Sequence, residues 1–416
     1  MGSIGQLGLE SWASMVGIVP KTQWGSGPRG TKELLTGRLS DFVRHTLSYW
    51  ATIAIVLQML HQLKPILFAF GLLATACSSG SSGTGEMLTG PAANIYGGEC
   101  VEQDGSDVTI YSGRAENLME PVFAAFECET GIRLKVRYAS NTDLALSMNE
   151  EGDRTPADVF LSSSPGPVGF LANSDLLGNI DDDVLELVDE RNRSANGNWV
   201  GFSGRKRVLV YNVDEVSADQ LPNSIFDLTD PAYEGQVAIP ATNGSFADWF
   251  TVFRQESGND VATQWLDDMV ANGAKPYPNN RSIVEAASRG EIHMGLVNHY
   301  YNYQEAAAAG DDHRAANHDL ADDDIGSLLI VTAATVTAAS DNPEAANELV
   351  GYLLSEGVQR YYSEVTLEYP LAAGVEPAAV LPPLSDVDRS SVNFDDLGDE
   401  FEKTNAIIEA SGILSQ

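Results

Sequence analysis

From Asp107 onward the chain alternates between two hydrophobic periods, and this alternation constrains its fold more than any other feature. "DVTIYSG" runs as a strand, "ENLMEPVFAAFECETG" follows with helical spacing and ends at Gly131, and "IRLKVRY" returns to period two. "TDLALSMNEEG" is the next helix and "ADVFLSS" the next buried strand; the unit recurs less regularly through "RVLVYN", "GQVAIP", "ADWFTVFRQESG", "VATQWLDDMVANG", "SIVEAASRG" and "IHMGLVNH". Strands separated by helices pair most easily as a sheet flanked by helices, so the spacing predicts an α/β protein. No short-period repeat is present.

The 416 residues exceed one average domain and predict two. Acidic residues outnumber basic ones by 59 to 24, for a formal charge of −35. That balance excludes nucleic acid and anionic membrane surfaces as partners and reads as a solvated acidic exterior.

The N-terminus has to be separated from the fold. In "MLHQLKPILFAFGLLATACSSGSSGTGE" a positive flank at Lys64 precedes a short apolar core and small residues leading to Cys77, the pattern of a lipoprotein leader, although Ala74 stands where Leu is usual. We expect 59–76 to be a signal peptide, Cys77 to carry lipid, and 77–106 to form a flexible tether that begins with the Ser/Gly run. A signal peptide normally opens a chain, so translation is expected to begin at Met59, with 1–58 a non-native or mis-annotated extension. Outside the cytoplasm a disulfide between Cys100 and Cys128 becomes available, the alternative being two free thiols.

Several loops after strands carry Ser, Gly, Asn and Arg: "YSGRAEN", "SSSPGP", "SGRKR" and "PATNGSF". Ligands of open α/β sheets bind beyond the carboxyl ends of strands, and free backbone N–H groups there favour an anion.

The phrases "VTIYSGRAENLMEPVFAAFECETGI", "PADVFL", "SGRKRVLVYN", "PATNGSF", "YPNNRSIVEAASRGEI", "GLVNHYYNY", "GSLLIVTAATV" and "EYPL", in that order, make the chain resemble the iron(III)-binding proteins of bacterial ABC importers. The resemblance implies a type II periplasmic binding-protein fold: mixed sheets flanked by helices in two lobes, joined by hinge strands. It implies 107–207 with 331–380 as the first lobe and 208–330 with 381–416 as the second. It also implies a monomer outside the cytoplasm, held to the membrane only by its lipid, that closes on Fe3+ and hands it to an ABC permease and its ATPase.

By the same resemblance Tyr300 and Tyr301 are the metal ligands. Chemistry agrees, because Fe3+ prefers hard anionic oxygens such as phenolate. Neighbours on a regular strand face opposite ways, so both rings can reach one ion only where the strand ends or turns. Two phenolates leave charge and coordination positions open, and the resemblance implies a synergistic carbonate, bicarbonate or phosphate. Its holders would be Arg114, Arg207, Asn243, Gly244, Ser245, Asn280 and Asn298, with Arg205 and Tyr138 as secondary choices. The chain departs from its relatives at Ala115, Ser163 and Phe246, where they place a His, a Glu or a third Tyr as ligand. His299 is expected to point away from the metal, and the pair Tyr361–Tyr362 to be packing.

A binding protein for another small solute, such as an oxyanion, a phosphonate or a polyamine, is the alternative, since one fold serves many ligands. An enzyme is not expected: there is no G-x-S-x-G elbow and no H-E-x-x-H pair.

Overall fold

The computed structural model describes residues 85–416, apart from positions 86, 104, 322–323, 373 and 388–391. The extension, the leader, Cys77 and the start of the tether lie outside the described residues.

Among the described residues ten strands form the sheet: β1 (Asp107–Ser112), β2 (Arg133–Tyr138), β3 (Val159–Ser162), β4 (Val200–Asn212), β5 (Val237–Ile239), β6 (Lys275–Pro276), β7 (Met294–Asn298), β8 (Ala315–His318), β9 (Leu329–Val336) and β10 (Tyr369–Pro370). They are ordered β2-β1-β3-β9-β4-β7-β5-β6, with β8 and β10 also on β4. β1 runs parallel to β2 and β3, and β5 is parallel to β6 and β7, whereas β9 is antiparallel to both β3 and β4. The sheet is therefore mixed.

β4 organises the whole. Its first half, Val200 to Lys206, pairs with β9 and β10, and its second half, from Arg207, pairs with β7 and β8. One 13-residue strand thus belongs to two sheet halves. The sequence reading made "SGRKR" a loop; it is the middle of this strand. Four polar and charged residues there mask the strand period, but Arg205 and Arg207 are both fully buried and share one face by the two-residue repeat.

A continuous apolar core runs beneath both halves, from Val108, Ile110 and Phe126 to Phe246, Trp249, Phe253 and Trp265. A smaller cluster of Val208, Val210, Ile283, Val284 and Val297 supports the second half, and Tyr301 packs on it. Tyr361 and Tyr362 lie in the main core, where the Tyr361 hydroxyl donates to the Leu118 carbonyl at 2.9 Å.

Two terminal segments differ from expectation. The tether was drawn through residue 106, yet chain order begins earlier: Met87 bridges Glu99, a short helix spans Pro91–Ile95, and Cys100 is disulfide-bonded to Cys128 on the helix Glu116–Thr130. At the other end, 381–416 was assigned to the second lobe. The turn Phe394–Glu400 instead lies against the helix Pro165–Ala172, where Gly398 and Gly169 allow the two backbones to touch. Asp399 accepts from Asn173 at 2.8 Å, whereas its neighbour Glu400 pairs with Arg254 at 2.6 Å and leads into the helix Phe401–Ala410, which packs on the helix Gly244–Ser257. Without side chains at the glycines, a local pattern gives no warning of this crossing.

Candidate functional site

β7 stops at Asn298, which caps the helix His299–Ala309, so Tyr300 and Tyr301 fall in that helix's first turn. Successive helical residues are about 100° apart rather than opposed, and both rings face one cleft. The rings stack with centroids 4.2 Å apart; Tyr300 is buried and Tyr301 half-buried. Burial, then Tyr301 and Glu368, hold the Tyr300 phenol well above its ordinary value against the opposing pull of Arg114 and Arg205. It stays protonated until a cation displaces the proton.

His299 turns the other way. Its Nδ1 accepts from the Lys206 amide at 3.1 Å and its Nε2 donates to the Leu367 carbonyl at 2.8 Å. Burial pushes the imidazole down to about 4, so it is neutral and fully engaged.

Guanidinium groups dominate the floor. Arg114, on the loop after β1, pairs with buried Glu368 at 2.6 Å, and the other Glu368 oxygen accepts from Ser203. Arg205 lines the cleft, and its Nε and Nη2 are buried without any hydrogen-bond partner. Arg207 is committed elsewhere: its Nη2 donates to the Ser245 carbonyl at 2.9 Å and its Nη1 to Asn280 Oδ1 at 3.4 Å. Burial and the adjacent Arg205 pull Arg207 down to about 9. Three buried cations, Arg114, Arg205 and Arg207, are set against two buried carboxylates, Glu368 beside Arg114 and Asp248 beside Arg205, which leaves a positive surplus that is unfavourable unless an anion arrives.

The cleft has a volume of about 460 Å³. On one wall stand residues 113–118 with Tyr138, Ala139 and Ser163; on the other stand Asn243, Ser245, Asn279, Arg281, Asn298 and the tyrosines. Asn243, Asn279 and Asn298 are each the N-cap of a helix, so three helix N-termini converge there and add positive potential. Asn243 Oδ1 accepts from the Ser245 amide at 3.1 Å, and Asn298 Nδ2 donates to Ser245 Oγ at 3.3 Å. Among the described residues no group of three His, Cys, Asp or Glu side chains converges. Hard oxygen donors in the cleft are accordingly phenols and a single carboxylate.

Of the residues singled out in the sequence, Tyr300, Tyr301, Arg114, Arg205, Tyr138, Asn243, Ser245 and Asn298 line this cleft. Arg207, Gly244 and Asn280 do not; they stand behind the wall, where Asn280 Oδ1 accepts from the Asn298 amide at 3.0 Å. Ala115 and Ser163 face the cleft, whereas Phe246 is in the core, 5.4 Å from the Trp249 ring. The sequence reading missed Glu116, Asn279, Arg281 and Glu368. Asn279 carried a signal, an Asn directly before a helical run; Glu368 carried none, because its partner is 254 positions away.

A family model described as bacterial extracellular solute-binding protein matches residues 154–399. The chain is similar to the major ferric iron-binding protein of Neisseria meningitidis serogroup A, with 29% identity over 312 residues, covering 74% of this chain and 93% of the relative. It is 25% identical over 336 residues to the Fe(3+)-binding periplasmic protein of Serratia marcescens, covering 80% and 98%. Among solved structures it is similar to iron-bound HitA from Pseudomonas aeruginosa, with a TM-score of 0.70, 31% identity and coverage of 74% and 99%.

Proposed function

Because the chain belongs to the bacterial extracellular solute-binding proteins, a family of binding proteins rather than enzymes, we propose that it captures ferric ion outside the cytoplasm for an ABC permease and its ATPase. Tyr300 and Tyr301 supply two tyrosinates, and a carbonate-like dianion occupies the space between them and the arginines. The names of the relatives support ferric ion as cargo. The observation that carries the ligand assignment is the placement of two phenols on the first turn of a helix, in one cleft with Arg205, whose Nε and Nη2 are buried without a hydrogen-bond partner.

Charge makes the anion part of the cargo. At neutral pH the three arginines with Glu368 and Asp248 leave one positive charge in surplus, and Fe3+ with two phenolates adds one more. A dianion offsets both charges in a site where water is scarce. Arg205 is its main anchor, because two of its nitrogens are free, and Arg114 is the second. Arg207 orders Ser245 and Asn280 rather than touching the anion. β4 is the hinge: 107–207 and 331–380 move as one lobe, 208–330 and most of 381–416 as the other, and closure follows from tighter ligand contacts in the closed form. Cys77 tethers the protein through lipid.

The test is optical. With Fe3+ and bicarbonate the purified protein turns red to orange through phenolate-to-iron charge transfer, and Tyr300→Phe and Tyr301→Phe weaken or abolish the colour. A protein that stays colourless yet binds phosphate or a phosphonate tightly without iron would replace the ferric reading with the other-solute one.

A further inference from the structure

The helix Pro165–Ala172 starts without a cap of its own. Its N-cap residue, Ser164, is of a type that usually accepts from the second or third helical amide, yet its hydroxyl caps nothing. The third residue is Pro167, which has no N–H, so Gly166 alone offers an amide to a cap. That amide donates at 2.8 Å to Asp248 Oδ2, one turn into the helix Gly244–Ser257 on the opposite lobe. Ser164 Oγ is buried and makes no hydrogen bond of regular geometry, although it lies near enough to Asp248 to oppose the upward pull of burial on that carboxyl. Two acceptors thus compete for one donor. The walls of the cleft meet at the same seam: a Cβ on Gly166 would strike the Asp248 carboxylate, and one on Gly244 would strike Asn141 Nδ2. Asn141 Oδ1 in turn accepts from the amide of Ser163, which lines the cleft, at 3.0 Å.

We propose that the Gly166 amide exchanges caps as the cleft works: Asp248 takes it when the lobes close on their ligand, and Ser164 takes it when they part. The proposal rests on the two-lobe, ferric reading, and it makes the conformation described above the closed one along this seam. Parting the lobes removes Asp248 from the helix start and leaves the amide in need of another acceptor. A rotation about χ1 brings the Ser164 hydroxyl to that amide from the ordinary N-cap position. Closing reverses the exchange and leaves the hydroxyl buried without a regular partner, which is how it is found. Each state then keeps its helix capped, so the two remain close in energy and the ligand decides between them. Ser164 follows cleft residue Ser163 in the chain, which ties the exchange to the position of the first wall. A contact that never opened would need no second acceptor.

The experiment uses the full chain as parent, Ser164→Ala, Asp248→Asn and Asp248→Leu. Iron release to ethylenediaminetetraacetate is followed through loss of the charge-transfer band, and small-angle scattering of the iron-free proteins measures their compactness. Ser164→Ala removes only the open-state cap and releases iron about fivefold more slowly than the parent. Asn and Leu are both uncharged and similar in size, so the pair at 248 isolates the acceptor from the charge beside Arg205. Asp248→Leu releases iron about tenfold faster than Asp248→Asn, because the closed form then buries an unpaired amide. A merely structural loss would not make one variant slower and the other faster. Ser164→Ala releasing at the parent's rate or faster overturns the exchange, as does equal release from the two Asp248 variants; either result leaves the ferric reading intact. Ser164→Ala alters no regular hydrogen bond of the folded protein, so it keeps the test decisive where Asp248→Leu fails to fold. A colourless parent sinks the ferric reading, and scattering then judges the exchange by itself. Ser164→Ala more compact than the parent supports it, and matching profiles overturn it.

Discussion

Exchanging Glu368 for Gln keeps the shape of a fully buried side chain and removes only its charge. Glu368 and Arg114 are 2.6 Å apart with side chains 0% and 2% exposed, and Arg205 and Arg207 are buried nearby. Gln can still accept from Arg114, so hydrogen bonding survives in part; the positive surplus, however, rises from one charge to two at neutral pH. Breaking one partner out of a buried pair costs about 3–5 kcal/mol. For the roughly 330 folded residues, an unfolding entropy of about 2.1 cal/mol/K per residue converts this to a fall in Tm of about 4–7 °C. The loss should be selectively recovered by an anion, because a ligand at 100 times its Kd stabilises by about 2.7 kcal/mol, and the variant's extra charge tightens that Kd. Thermal unfolding followed by circular dichroism, without iron and at matched ionic strength in chloride and in bicarbonate, measures both effects. A Glu368→Gln protein within about 1 kcal/mol of the parent, or one whose loss is the same in both salts, would refute the charge accounting of the cleft.

Iron affinity should fall as pH is lowered, by about tenfold per pH unit for each proton displaced, because the buried Tyr300 phenol must deprotonate to bind; chelator competition between pH 8 and 6 measures it. Burial raises Asp248 to about 6 against the restraint of its hydrogen bonds and Arg205, so its contribution to stability is complete below about 4, the ordinary value, and is lost as pH rises through 6. Denaturant midpoints should therefore show Asp248→Asn gaining on the parent by about 2–3 kcal/mol across that window, with the amide oxygen still able to accept from the Gly166 N–H. The paired change Cys100→Ser and Cys128→Ser opens a loop of 28 residues and should cost about 3.6 kcal/mol, read from urea unfolding under non-reducing conditions.

The sequence by itself determined the local elements and the two phenols. Helix and strand periods depend on residues two to four positions apart, so the helices closing at Gly131 and Gly152 could be read directly, as could the need for the Tyr300–Tyr301 pair to sit where a strand ends. Tertiary structure decided the rest of the site. "SGRKR" reads as a loop because its charges hide the period, and only pairing with β9, β7 and β10 makes it a buried strand. The three arginines look alike in the sequence, yet one is paired with Glu368, one is spent on Ser245 and Asn280, and one is left with free donors facing the cleft. Burial and counter-charge are properties of groups brought together from distant parts of the chain, and no short-range pattern encodes which charge will find a partner.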